Sequence, residues 1–283
     1  MRRQSWFITL SILMLAAVFG VSTTALAQND DKLQEVLSRG KLIVGTGSTN
    51  APWHFKDAEG NLVGFDIDMA RLVAKGLFDD PNKVEFVLQS GDARIPNLLT
   101  NKVDMSCQFM TITPARAQQV EFTVPYYREG VGLLLLKNGK YKTYQELKKA
   151  GSKITVSVLQ NVYAEQMVHA ALPEAKVDQY DSVELEYQAL NSGRADVTVT
   201  DQSSLKWFML QNPNRYIDGG YGWNPQSYGC AVKPGDQRWL NFINSVFHEA
   251  MTGVDFDTYA ASFKKWFGEE LPPPQIGFPV EFK

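Results

Sequence analysis

Twice along this chain, strand-like and helix-like runs alternate, and that pattern admits few architectures. In the first block Lys41–Val44 reads as a strand, followed by a loop to Phe55 and a turn at Asp57–Asn61. A helix follows from about Asp66, which looks like its cap, with Ile67, Ala70, Val73, Ala74 and Leu77 at helical spacing. Val84–Leu88 is strand-like, Asp92 can cap a helix carrying Ile95, Leu98 and Leu99, and Val103–Cys107 is a further strand. After the apolar run Val131–Leu136 the alternation returns. Strands are expected at Ile154–Leu159, Lys176–Gln179 and Asp196–Thr200, and helices at Val162–Ala171, Val183–Asn191 and Gln202–Gln211. Tyr228–Val232 reads as one more strand before helices at Asp236–Met251 and Asp255–Phe267, and the Pro272-Pro273-Pro274 tail cannot continue a helix. Repeated β-α-β units imply an α/β chain with two lobes, each a largely parallel sheet flanked by helices.

In such sheets ligands bind beyond the carboxyl ends of the strands. In the first block that position is Thr111-Ile112-Thr113-Pro114-Ala115-Arg116. Thr113 suits an N-cap and Pro114 the first helical residue, so Thr111, backbone N–H groups and the Arg116 guanidinium would converge on a point suited to a carboxylate. An ordinary capped surface helix with a solvated Arg is the alternative. The segment holds no nucleophile or base. In the second block Leu159-Gln160-Asn161 and Thr200-Asp201 occupy the equivalent ends. A cationic wall facing the Asp201 anion across a cleft would hold a zwitterion.

Residues 1–27 have a basic start at Arg2 and Arg3, an apolar run from Trp6 to about Val21, and a small-residue ending at Ala25-Leu26-Ala27, the pattern of a secretory signal peptide. No Cys marks a lipid-attachment point there, so a soluble exported product is expected, in a periplasm. Of 28 basic and 31 acidic residues only Arg2 and Arg3 fall in that segment, so the remainder is mildly acidic, which argues against nucleic-acid and anionic-membrane partners. Cys107 and Cys230 could form a disulfide in an oxidising compartment or stay as two buried thiols. His54, His169 and His248 are scattered, so neither a zinc site nor a Cys/His nucleophile is supported, and no metal or cofactor is expected.

Further patterns recur in a particular order: Gly64–Ala70, Asp92–Leu98, Asp104 followed by Thr111–Arg116, Phe122–Tyr127, Gly193–Asp196 leading to Asp201, and Tyr228–Val232. Together they resemble the polar amino-acid-binding periplasmic proteins of ABC transporters, over about Lys41 to Phe267. The resemblance implies a type II periplasmic-binding-protein fold with a two-stranded hinge, lobe 1 being 28–128 plus 228–283 and lobe 2 being 129–227. It implies that Arg116 and Thr111 hold a ligand α-carboxylate, that Asp201 accepts from the α-ammonium, and that the Phe109 backbone lies near that ammonium. It also places Cys107 and Cys230 on neighbouring strands. Asp66 and Asp68 are expected to cap their helix, and Asp104 and Asp196 to be turn residues.

The side-chain pocket departs from the family pattern. Gly47 stands where cationic-ligand binders carry an acid, Asn50 and Gly91 where aromatics are usual, and Tyr163 where a small hydroxyl is common. A roomier pocket lined by Asn50, Trp53, Gln108, Gln160 and Tyr163 is the expectation, suited to a neutral polar, aromatic or bulky amino acid; an acidic ligand would need a second cation. Trp53 and Tyr163 could equally be core or hinge-cover residues. The function implied is capture of an amino acid by lobe closure and delivery to an inner-membrane ABC permease by a monomeric, non-enzymatic protein. The alternatives are a cyclohexadienyl-dehydratase-like enzyme on the same fold, which needs a general acid over its substrate, and a sensor input protein.

Overall fold

The computed structural model describes residues 31–160, 163–277 and 279; the signal-peptide expectation for residues 1–27 lies outside them. The first half contains α1 (Lys32–Arg39), β1 (Leu42–Thr46), β2 (Thr49–Asn50), β3 (His54–Lys56), β4 (Leu62–Val63), α2 (Phe65–Phe78), β5 (Val84–Leu88), α3 (Arg94–Leu99), β6 (Met105–Thr111), α4 (Pro114–Ala117), β7 (Glu121–Phe122) and β8 (Tyr127–Leu136). The second contains α5 (Tyr144–Ala150), β9 (Thr155–Leu159), α6 (Ala164–Ala171), β10 (Lys176–Tyr180), α7 (Val183–Asn191), β11 (Val197–Asp201), α8 (Gln202–Gln211), β12 (Tyr216–Asp218), β13 (Trp223–Val232), α9 (Gln237–Thr252) and α10 (Phe256–Phe267).

Two parallel sets, β5-β1-β6 and β10-β9-β11, match the two alternating blocks. They join into one continuous mixed sheet through β8 and β13, long strands that pair antiparallel with each other, with β11 and with β6. Each set has its own core. Leu42, Val44, Phe65, Met69, Val73, Trp239, Ile243 and Phe247 belong to the first, and Leu133, Ile154, Val156, Val168 and Val197 to the second.

Cys107 on β6 and Cys230 on β13 form a disulfide with their Cα atoms 4.5 Å apart, which settles the open choice about the thiols. Their separation of 123 residues encloses the second core, so the bridge staples the chain where it leaves the first core and returns to it.

Several acids do more than their sequence positions suggest. Asp104 is buried, accepts from the Ile43 N–H at 2.8 Å and pairs with Arg39; Asp196 accepts from the Thr155 N–H at 2.9 Å. Each therefore ties the strand it precedes to the first strand of its own block, rather than serving only as a turn residue. Neither Asp66 nor Asp92 caps a helix. Gly64 and Ala93 occupy those positions without side-chain caps, while Asp66 turns inward as a buried acceptor. Asp68 likewise accepts from the Ser262 hydroxyl and the Trp266 indole, each at 2.7 Å. The helix α1, bounded by an Asp31 cap and a left-handed Gly40, was legible in that pair of signals but is absent from the sequence reading.

Candidate ligand-binding cleft

At the carboxyl end of β6, Thr113 caps α4 and Pro114 opens it, as the sequence predicts. The Arg116 guanidinium donates to the Thr111 carbonyl at 2.8 Å. Its burial holds its pKa below the usual arginine value, opposed by the Tyr163 and Tyr228 phenols. A hydrogen-bonded chain leads from there to the other wall. Thr111 Oγ1 bonds to Gln226 Oε1 at 3.3 Å and Gln226 Nε2 to the Tyr228 hydroxyl at 3.3 Å, and Tyr228 lies near enough to Asp201 to act on its charge. Asp201 makes no side-chain cap to α8.

Beside Asp201 lies a second acid that the sequence reading did not single out. Glu129 on β8 is buried, and burial followed by the charge of Asp201 pushes it up to about 8, against hydrogen bonds from Ser203 and the Gly130 N–H. Burial also pushes Asp201 up to about 6, with the Tyr228 bond working the other way. Burial and mutual repulsion thus hold this pair of acids above the ordinary carboxylate range, and the two do not both ionise freely near neutral pH.

A second cation was missed as well. Arg94, at the first position of α3, donates from Nε to the Gly91 carbonyl at 2.7 Å and from Nη1 to the Gln108 carbonyl at 3.2 Å. Burial, then the charge of Arg116, lowers it to about 10. Among the described residues no carboxylate lies within ion-pair distance of either guanidinium. Two neighbouring, part-buried cations without an anionic partner form a wall suited to an anionic or strongly accepting ligand.

The expected roominess is only partly there. A Cβ at Gly47 would lie 2.6 Å from His54 Cδ2 and 2.7 Å from Nε2, so the imidazole takes the room a side chain would use. A Cβ at Gly91 would meet Arg94 Nη2 at 3.5 Å. At both glycines the nearest group to an added side chain is thus a basic one, the His54 imidazole or the Arg94 guanidinium. His54 Nδ1 lies 2.8 Å from Asp66 Oδ2, which also accepts from the Phe109 N–H at 2.8 Å, while the Tyr126 hydroxyl donates to the other carboxylate oxygen.

The remaining expected residues divide. Gln108 is buried and its amide is tied to Gln89, so it contributes its carbonyl, to Arg94. Phe109 sits at φ +33, a conformation a bulky residue adopts at a cost, with its ring stacked on Trp53. Trp53 is fully buried among Phe65, Tyr127, Tyr228 and Phe267, in the core. Tyr163 is exposed yet near enough to Arg116 to act on its charge. Asn50 is half-buried and pairs with His54 across β2 and β3, whereas Gln160 is exposed and bonded through its N–H to the Tyr180 carbonyl.

Residues 42–269 match the family model of bacterial extracellular solute-binding proteins, family 3. The chain belongs to this family. Among curated relatives of this solute-binding protein, the ABC transporter glutamine-binding protein GlnH of Bacillus subtilis (strain 168) is 28% identical over 264 residues, covering 92% of this chain and 94% of that protein. The glutamine-binding protein of Geobacillus stearothermophilus is 31% identical over 214 residues, 75% of this chain and 80% of that one. Among solved structures, the ancestral amino acid-binding protein AncCDT-1, described as a precursor of cyclohexadienyl dehydratase, matches with a TM-score of 0.71 at 33% identity, covering 83% of this chain and 99% of that one. The solute-binding protein thus has the two-lobed type II fold. Among the described residues no helix is long and apolar enough to cross a membrane.

Proposed function

We propose that the protein captures an α-amino acid between two lobes, 28–128 plus 228–283 and 129–227, and hands it to an ABC permease of the inner membrane. The observation that carries this reading is Arg116 without a carboxylate partner, linked by hydrogen bonds through Thr111 and Gln226 to Tyr228, which lies beside the Asp201 carboxyl on the opposite wall. A guanidinium and a carboxylate on opposite walls complement the two charges of a zwitterion, and a ligand lacking either charge leaves one partly buried group unpaired. The separate cores on either side of β8 and β13 support the lobe boundaries, and the glutamine-binding relatives support the amino-acid class. Residues 1–27 act as the signal peptide that delivers a monomer to the periplasm. Calorimetry of the mature protein against the proteinogenic amino acids tests the reading; binding of none of them sinks it.

Glu129 favours a second reading, because a protonated carboxyl beside the site is what elimination from a cyclohexadienyl substrate would need. Binding without turnover is the expected behaviour, and release of product from arogenate or prephenate would establish the enzyme instead.

A further inference from the structure

The helix α8 begins at the residue after Asp201 and divides its surface between two cores. Leu205, Phe208 and Met209 join the apolar cluster of Leu134, Tyr187 and Tyr216, which anchors the helix to the second lobe. Ser203, Lys206, Trp207 and Leu210 recur at helical spacing on another stripe, and each of them meets the first lobe. Trp53 donates to Ser203 Oγ at 2.9 Å, Lys206 pairs with Glu269, the Trp207 ring lies 5.6 Å from Phe55 and 5.8 Å from Trp266, and a Cβ at Gly268 would come within 2.9 Å of Leu210. The two stripes differ in kind. The Lys206 and Glu269 side chains are 41% and 55% exposed, Trp207 is half-buried and Leu210 is exposed, so away from the Trp53–Ser203 end these faces can be hydrated when apart, as contacts between domains are.

We propose that this stripe of α8 is a latch between the lobes, in which Lys206 and Trp207 set the affinity and residence time of the bound amino acid without touching it. This rests on the lobe division and the amino-acid reading above. Location supports the link. The turn that carries Asn50 and Trp53 follows the carboxyl end of β1, and α8 follows the carboxyl end of β11, so part of the latch lies at the strand ends where ligands bind. One peptide bond joins Asp201 to α8, and the helix is fixed to the second core, so the Asp201 wall and the latch face move as one body. A ligand that draws Asp201 towards Arg116 therefore also seats Trp207 on Phe55 and Trp266, and Lys206 on Glu269. Contacts made in the closed form alone raise its population, and they do so by the same factor for every ligand. Lys206 and Trp207 are thus positioning residues.

The test is calorimetry and stopped-flow kinetics of wild type, Trp207→Ala, Lys206→Glu and Lys206→Glu/Glu269→Lys with the proteinogenic amino acids and cystine. Trp207→Ala should weaken every amino acid that binds wild type by one common factor of about 10 or more, and Lys206→Glu by about 3- to 10-fold, because reversing an exposed charge replaces a modest attraction by a repulsion. The loss should fall on the dissociation rate. Adding Glu269→Lys to Lys206→Glu should restore most of the affinity, which a merely destabilising change would not do. Unchanged or tighter binding in folded Trp207→Ala and Lys206→Glu, a loss that differs from one amino acid to the next, or no rescue by the charge exchange overturns the latch while leaving amino-acid capture standing. Binding of no amino acid by wild type overturns both. Should Trp207→Ala fail to fold, Lys206→Glu and its charge exchange, both at an exposed position, decide the matter.

Discussion

The Trp53 indole N–H donates to the Ser203 hydroxyl at 2.9 Å, so a ring buried in the first core holds the start of the helix that follows Asp201. Ser203 also lies near enough to Glu129 to lower its pKa, which places this contact beside that buried acid. Replacing Trp53 by Phe keeps a ring in the aromatic cluster but removes the donor. Urea unfolding of Trp53→Phe, Ser203→Ala and the double variant should give a coupling free energy of about 1 kcal/mol. Strict additivity would mean that the bond contributes nothing.

Removing the covalent staple should be more costly. Because Cys107 and Cys230 close a loop spanning 123 residues, the Cys107→Ala/Cys230→Ala variant should lose about 2–5 kcal/mol of stability while keeping the strand pairing of β6 and β13. The difference between denaturant midpoints of oxidised wild type and variant measures it. Mass spectrometry of unreduced, alkylated protein should find no accessible thiol in the wild type.

Glu129 makes stability depend on pH in a definite direction. Its folded-state pKa is raised from 4.5 to about 8, so the folded protein keeps a proton that the unfolded chain releases. The advantage is complete below pH 4.5 and is lost as pH rises through about 8. Glu129→Gln, which cannot ionise, should therefore match wild type near pH 5 and exceed it at pH 9 by roughly 2–4 kcal/mol. Thermal unfolding at the two pH values reads this out, and equal stability at pH 9 would show that Glu129 is not held protonated.

Arg116 and Asp201 should separate binding from folding. With no carboxylate partner to leave behind, Arg116→Ala should fold as well as wild type and bind amino acids at least about 100-fold more weakly. In the wild type, affinity should decline as pH falls through about 6, because protonated Asp201 no longer offers a negative charge to an ammonium. In Asp201→Asn that decline should vanish together with a few kcal/mol of binding. Pulling ligand affinity from calorimetry across pH 5–8 checks both.

What the sequence revealed and what it hid follow from the range of the interactions. Val84–Leu88, Val183–Asn191 and Gln202–Gln211 have the bounds that periodicity predicts, because apolar spacing and local capping are encoded within a few residues. The Thr113-Pro114 start of α4 was readable for the same reason. Long-range use of polar side chains was not. Asp66 at a helix start looks like a cap, and nothing local announces that it serves His54, Phe109 and Tyr126 from 12 to 60 positions away. Arg94 was passed over inside a motif whose neighbours are apolar, although an arginine at the first turn of a helix, where the dipole disfavours it, was a signal available in the sequence. Glu129 lay hidden because alternation along β8 predicts which face a residue occupies, not that the opposite face is also covered.

The close fit of Gly47 against His54 yields the last prediction. The built Cβ distances of 2.6 and 2.7 Å fall below any ordinary contact, so Gly47→Ala must displace the imidazole or the β1 backbone. Moving the ring breaks its bond to Asp66, whose other donors are held by Phe109 and Tyr126, and overpacking of this kind costs about 1–3 kcal/mol. In a His54→Ser background the obstructing ring is gone, so the same Gly47→Ala change should cost under about 0.5 kcal/mol. Urea unfolding of the two single variants and the double variant supplies the cycle. If Gly47→Ala is equally costly in both backgrounds, the backbone rather than the imidazole demands glycine, and His54 does not occupy the space that Gly47 leaves.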